Sequence, residues 1–149
     1  MIPRKFTIKK LPELREYKVK EIEQGYLCTN PVVRVRKQDE EYYLTYKGKG
    51  LKVREEYNLP LTKEAYESMV KKSEGNIITK KRYIIPIENS DLIIELDVFE
   101  GVFAPLIMAE VEFDSEAASD GFVKPDWFGE EVTYDSKYHN CNMAMRDII

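Results

Sequence analysis

Five pairs of charged residues, each spaced two apart, recur along the chain: Arg34/Arg36, Arg54/Glu56, Lys80/Arg82, Glu95/Asp97 and Glu110/Glu112. In an extended strand, side chains at i and i+2 point to the same face. Each pair therefore sets two charges side by side, while Val, Ile, Leu, Tyr and Phe fill alternate positions. Arg34/Arg36 and Lys80/Arg82 repel unless an anion lies between them. Glu95/Asp97 and Glu110/Glu112 repel unless a cation or a proton compensates. Arg and Lys donors suit phosphate oxygens, and carboxylates suit hard divalent cations such as Mg²⁺ and Mn²⁺. These residue types permit capture of a polyphosphate beside a metal ion. The plainer alternative is a half-solvated sheet whose cross-strand charges stay wet. The grouping of like signs on single strands weighs against it, as do the apolar flanks Leu92-Ile93-Ile94 and Leu106-Ile107-Met108.

The elements that must position these pairs follow from the pattern around them. Strands are predicted over Ile2–Ile8, Tyr17–Thr29, Val32–Lys37, Glu41–Lys47, Leu51–Leu59, Ile77–Ile87, Leu92–Phe99 and Leu106–Phe113. Turn signals separate them: Asn30-Pro31, Asp39-Glu40, Gly48-Lys49-Gly50 and Asn89-Ser90-Asp91. Thr62 is a good N-cap, and Leu61, Ala65, Tyr66, Met69 and Val70 recur at helical spacing. One helix is thus expected over Thr62–Lys72, with Gly75 as its stop. Ser115 is expected to cap a short helix ending at Gly121, and the tail from Pro125 to be irregular, with a short helix near Met143. A sheet of eight strands tends to curl, split or close. The expected fold is mainly β (α+β): a closed eight-stranded antiparallel barrel, charged inside, with a few covering helices.

Composition narrows the field. A chain of 149 residues fits one domain over 1–149. The net charge of −4 gives no bulk attraction to nucleic acid or to a membrane, so neither is expected as a partner. Two cysteines, Cys28 and Cys141, form neither a disulfide framework nor a zinc spacing, and reduced thiols are expected. No stretch has the apolar length of a signal peptide core or a membrane span, so a soluble cytoplasmic protein is expected.

Several ordered stretches resemble the CYTH family, the triphosphate tunnel metalloenzymes. They are Arg-Val-Arg-Lys (34–37), Tyr-Leu-Thr-Tyr-Lys-Gly (43–48), Arg-Glu-Glu-Tyr (54–57), Lys-Lys-Arg-Tyr-Ile-Ile-Pro (80–86) and Ile-Glu-Leu-Asp-Val-Phe-Glu-Gly (94–101). Ala-Glu-Val-Glu-Phe (109–113), Trp-Phe-Gly-Glu-Glu-Val-Thr (127–133) and Lys-Tyr-His-Asn (137–140) complete the set. The resemblance implies a charged tunnel through a barrel, and hydrolysis of tripolyphosphate or a related triphosphate with Mg²⁺ or Mn²⁺. By that resemblance Arg34, Arg36, Lys47, Arg54, Lys80 and Arg82 would hold phosphates, and Lys137 or its neighbours would close one mouth. Glu110 and Glu112, with Asp97, would bind metal. Glu56 and Glu95 would orient the basic residues, and Lys5 would position or activate the attacking water.

The family signature opens as Glu-x-Glu-x-Lys. Lys5 matches its lysine, but Met1 and Pro3 stand where the two glutamates belong. Eight cations, counting Lys5 and Lys137, would then face five carboxylates, which favours the anion and weakens the metal site. Two further readings stay open beside the hydrolase: a domain that binds polyphosphate or a nucleotide without turnover, and a class IV-type adenylyl cyclase. His139, the single histidine, is expected to be a surface or capping residue. Trp127 and Phe128 are expected to cover the barrel.

Overall fold

The computed structural model describes residues 1–49 and 54–145. Among these residues nine strands are formed: β1 (Ile2–Ile8), β2 (Lys18–Thr29), β3 (Val32–Gln38), β4 (Glu41–Lys47), β5 (Glu56–Pro60), β6 (Glu74–Pro86), β7 (Ile93–Glu100), β8 (Ile107–Phe113) and β9 (Phe128–Glu131). They make one sheet in the order β5-β4-β3-β2-β6-β7-β8-β1-β9, with antiparallel pairing throughout. Among the described residues, three short α-helices accompany it: α1 (Lys63–Val70), α2 (Glu116–Asp120) and α3 (Asn140–Met145).

The alternation read from the sequence builds the two faces. On β7, Ile94 and Leu96 turn outward into a cluster with Phe6, Val111, Phe113 and Phe128, while Glu95 and Asp97 turn inward. On β8, Ala109 and Val111 join the same outer cluster, so Glu110 and Glu112 also face inward. The hairpin between β3 and β4 turns through Asp39, whose φ of 53° lies in the left-handed region that Asp tolerates. Asp39 also accepts the Glu21 N–H at 3.0 Å, which ties the turn to β2.

Helix α1 begins where expected. The Thr62 hydroxyl accepts the Ala65 N–H, and Glu64 occupies the first turn. Its buried Tyr66 packs 5.3 Å from Tyr42 and donates to Glu23 Oε1 at 2.8 Å, so the helix covers the outside of β2 and β4. Gly75 is not its stop. The helix ends at Val70, and Gly75 lies in β6 with φ +68°, where a Cβ would collide with the Ala144 carbonyl of α3. Its glycine serves close packing, not a helix C-cap.

Two expectations about the sheet need correction. The tail supplies a ninth strand: β9 pairs with β1, and Val132 N–H donates to the Lys5 carbonyl at 2.8 Å. Its sequence, Phe-Gly-Glu-Glu, has weak strand propensity and is held by its partner. The ring of hydrogen bonds is also open, because β5 and β9 end the ladder and no pairing joins them among the described residues. The sheet still curls into a tunnel. Lys47 on β4 feels the charges of both Glu110 and Glu112 on β8, five strands away along the ladder. Helix α3 seals one end above an apolar floor of Tyr26, Ile78, Phe99, Met108 and Met143.

Candidate active site

The inner face is organised in tiers set by strand register. Next to the floor lie Gln24, opposite Arg36, and Lys80, opposite Phe99. The next tier holds Arg82 opposite both Lys20 and Asp97, with Glu95 opposite Glu110 and Glu110 opposite Lys5. Beyond it Glu112 lies opposite Pro3.

Lys80 is the most enclosed cation, with its side chain 1% exposed. Its Nζ lies 2.8 Å from Asp97 Oδ2, donates to Asn140 Oδ1 at 3.0 Å, and sits 5.2 Å over the Phe99 ring. Burial, with Arg82 and Arg36 nearby, pushes its pKa down to about 7 although Asp97 opposes the shift. Arg82 grips Asp97 with two bonds, Nε to Oδ1 at 2.8 Å and Nη2 to Oδ2 at 2.9 Å, and reaches Glu95 Oε2 at 3.3 Å. Against the effect of burial, Lys80 and Arg82 hold the Asp97 carboxyl well below the usual carboxylate range. Asp97 is thus the counter-ion of two cations, and both of its oxygens are engaged.

Among the described residues, Arg36 and Arg34 have no such counter-ion. Arg36 donates from Nε to Gln24 Oε1 at 2.8 Å and from Nη1 to the Tyr43 hydroxyl at 3.3 Å. Burial, then the charges of Arg34 and Arg82, push its pKa down to about 10. Arg34 donates to Thr45 Oγ1 at 3.2 Å, and its Nε is buried with no hydrogen-bond partner. Lys47 lies 3.6 Å from Glu56, and burial followed by Arg34 lowers its pKa.

The acidic strand is the counterpart. Burial, then the charges of Glu110 and Glu95, raise the Glu112 carboxyl above its ordinary value. A cavity lined by Lys5, Asp97, Phe99, Met108, Glu110 and Asn140 brings Lys5 beside this group. Among the described residues, no three His, Cys, Asp or Glu side chains converge as a ready metal cage.

Comparison with known proteins agrees with this geometry. The CYTH domain family matches residues 3–141. The chain belongs to the CYTH domain family. It is 39% identical over 147 residues to the inorganic triphosphatase of Nitrosomonas europaea, covering 97% of this chain and 96% of that protein. It is 38% identical over 126 residues to the inorganic triphosphatase of Acetivibrio thermocellus, covering 81% and 78%. A crystal structure of an inorganic triphosphatase superposes with a TM-score of 0.77 at 36% identity over 99% of both chains. A Pyrococcus horikoshii protein at 21% identity, with a TM-score of 0.56 over 80% of this chain and 82% of that one, shares the fold.

In this CYTH tunnel, the structure brings together Lys5, Arg34, Arg36, Lys47, Lys80, Arg82, Glu95, Asp97, Glu110 and Glu112. Glu56 joins at the β5 edge beside Lys47. Arg54 lies exposed before β5 begins, because the predicted strand from Leu51 starts only at Glu56; residues 50–53 fall outside the described set. Lys137 sits in an exposed turn 3.8 Å from Asp135 and 5.4 Å from the Tyr138 ring, while its neighbour Asn140 reaches the tunnel. His139 holds the Thr133 carbonyl at 3.0 Å, and the Thr133 hydroxyl accepts the Lys5 N–H, so the histidine braces the strand that carries Lys5. Phe128 is buried in the outer cluster with Trp127 packed on it. Both cysteines are free thiols. No described helix is long and apolar enough to cross a membrane.

Gln24, Asn140 and Lys20 were not foreseen. Lys20 shares the inner face with Arg82, as its spacing of two from Ile22, opposite Lys80, requires. The two amides carry no charge and so fall outside the pattern of charged pairs.

Proposed function

We propose that this protein hydrolyses inorganic tripolyphosphate or a closely related triphosphate within its tunnel, as a single CYTH domain spanning 1–149. The observation that carries the reading is the convergence of Arg34, Arg36, Lys47, Lys80 and Arg82 on an inner face that also bears Glu110 and Glu112. Buried cations crowded enough to depress each other's pKa values are relieved by a polyanion, and each charge-assisted hydrogen bond to phosphate contributes roughly 1.5–3 kcal/mol. The related triphosphatases support the same substrate class.

A divalent metal fits the donor set to a defined extent. Glu110 and Glu112 would hold it, since Glu112 is pushed up by burial and then by its acidic neighbours, and a cation relieves that repulsion. Mg²⁺ is commonly bound by one or two carboxylates together with substrate phosphates, and Mg²⁺ or Mn²⁺ would neutralise charge on the phosphoryl oxygens. Asp97 would serve by fixing Lys80 and Arg82. The protein's own residues would bind the chain of phosphates, stabilise charge on the transferred phosphoryl group, and exclude bulk water behind α3. Lys5, opposite Glu110, would orient the attacking water.

The test is phosphate release from tripolyphosphate with Mg²⁺ or Mn²⁺, beside an Arg82→Ala control. Release by the unaltered chain and not by the control is expected; equal release from both would overturn the reading. One observation favours a second reading, binding without turnover: Pro3 stands directly opposite Glu112, and a proline supplies no carboxylate. Thermal stabilisation by tripolyphosphate without phosphate release would select it.

A further inference from the structure

Buried cations usually meet carboxylates. At the closed end of the tunnel two of them meet amides: Arg36 meets Gln24 in place of a carboxylate, and Lys80 meets Asn140 beside Asp97. The Gln24 side chain is fully enclosed, in a residue only 1% exposed. Its Oε1 accepts from Arg36 Nε at 2.8 Å, and its Nε2 donates to Tyr26 Oη at 3.3 Å and to Asn140 Oδ1 at 3.3 Å. Asn140 Oδ1 also accepts from Lys80 Nζ at 3.0 Å. One run of neutral groups therefore links Arg36 on β3, Gln24 on β2, Asn140 at the start of α3, and Lys80 on β6.

The direction of this run is set by charge. Arg36 presents only donors, so the Gln24 oxygen must face it, and the Gln24 amide N–H groups must then face the Tyr26 and Asn140 oxygens. Lys80, again only a donor, fixes the Asn140 oxygen in turn. Each amide orients a cation as a carboxylate would, but adds no negative charge. The contrast lies one tier away, where Arg82 is gripped by Asp97 and touched by Glu95. Arg36 is oriented instead by Gln24 and the Tyr43 hydroxyl, so its field is not cancelled locally. A carboxylate at position 24 would form a stronger pair with Arg36, yet the chain places its isosteric amide there.

We propose that Gln24 and Asn140 are positioning residues that aim Arg36 and Lys80 at a polyphosphate without adding negative charge beside them, which leaves the charge of Arg36 uncompensated and that of Lys80 shared only with Asp97. This inference rests on the triphosphate reading given above. It deepens that reading by assigning the anion affinity of the closed end to the neutrality of its supporting residues.

The experiment compares Gln24→Glu, Asn140→Asp and Gln24→Met with the unaltered chain. Metal-free titration with tripolyphosphate gives Kd, steady-state hydrolysis gives KM and kcat, and thermal unfolding gives Tm. Gln24→Glu and Asn140→Asp should each raise Kd and KM by at least about tenfold, with Tm unchanged or higher and kcat little affected. Gln24→Met should lower Tm and raise Kd by less than Gln24→Glu does. A Gln24→Glu protein that folds and binds like the unaltered chain would overturn the inference. Should it fail to fold, Asn140→Asp carries the test, and after that Gln24→Met; unchanged Kd in the surviving variant would overturn the inference equally. An unaltered chain that neither binds nor hydrolyses tripolyphosphate would instead overturn the triphosphate reading itself, and this inference with it.

Discussion

The inward charges of β6 and β7 and those of β8 lie on one continuous face, but the protein treats them in opposite ways. Lys80, Arg82, Glu95 and Asp97 form a network in which each charge meets the opposite sign within 3.3 Å. Glu110 and Glu112 meet each other, and among the described residues no cation lies within ion-pair distance of either. The first group is assembled by folding. The second is left to be completed by what enters the tunnel. The difference separates two tasks: β6 and β7 present a fixed cationic surface, whereas β8 stores repulsion that a cation can release.

The largest break in this contrast should come from Asp97→Asn. It leaves Lys80 and Arg82 buried without their shared counter-ion and should cost about 3–5 kcal/mol of stability, read by urea denaturation. Tripolyphosphate should restore much of that loss, because it binds only the native state and supplies the missing charge. On β8 the expectation reverses in sign. Glu112→Gln removes repulsion and should leave stability unchanged or slightly raised, while hydrolysis that depends on Mg²⁺ falls steeply in the same assay.

A smaller effect is set by pH. Lys80 has a folded-state pKa of about 7 against an ordinary 10.5. Between those values the unfolded chain holds more protons than the native one, so stability without ligand should rise with pH across that window. Tripolyphosphate favours the ammonium form, so binding takes up a proton, and affinity should fall as pH rises above about 7. Thermal unfolding and titration calorimetry from pH 6 to pH 9 would check both slopes, and Lys80→Met should flatten them. The smallest effect belongs outside the tunnel: Thr62→Ala removes the α1 cap and should cost about 1 kcal/mol, with Kd for tripolyphosphate unchanged.

The charged half of this contrast was legible in the chain because alternation is a local signal. Strands β1 and β4 begin and end at the expected residues, and Glu95/Asp97 and Glu110/Glu112 share a face because Leu96 and Val111 must not. What escaped depends on contacts distant in sequence. Phe-Gly-Glu-Glu becomes a strand only against β1, and Gly75 is required only by α3. The contacts of Asp97 with Lys80 and Arg82 likewise join separate strands and leave no local spacing to read. Gln24 and Asn140 lie 116 positions apart, and neither residue type announces a role.

The pairing of β1 with β8 and β9 also fixes an order of assembly. Strands β2 to β8 are joined almost entirely through short hairpins and one helix, whereas Lys5 finds Glu110 across 105 positions and Val132 across 127. Closing such long loops is slow compared with forming local hairpins. On a growing chain, the cationic strands β3 and β6 can therefore flank their shared partner β2 before β1 docks on β8. At that stage the cationic wall is in place, while the lysine that faces the acidic strand is still unplaced.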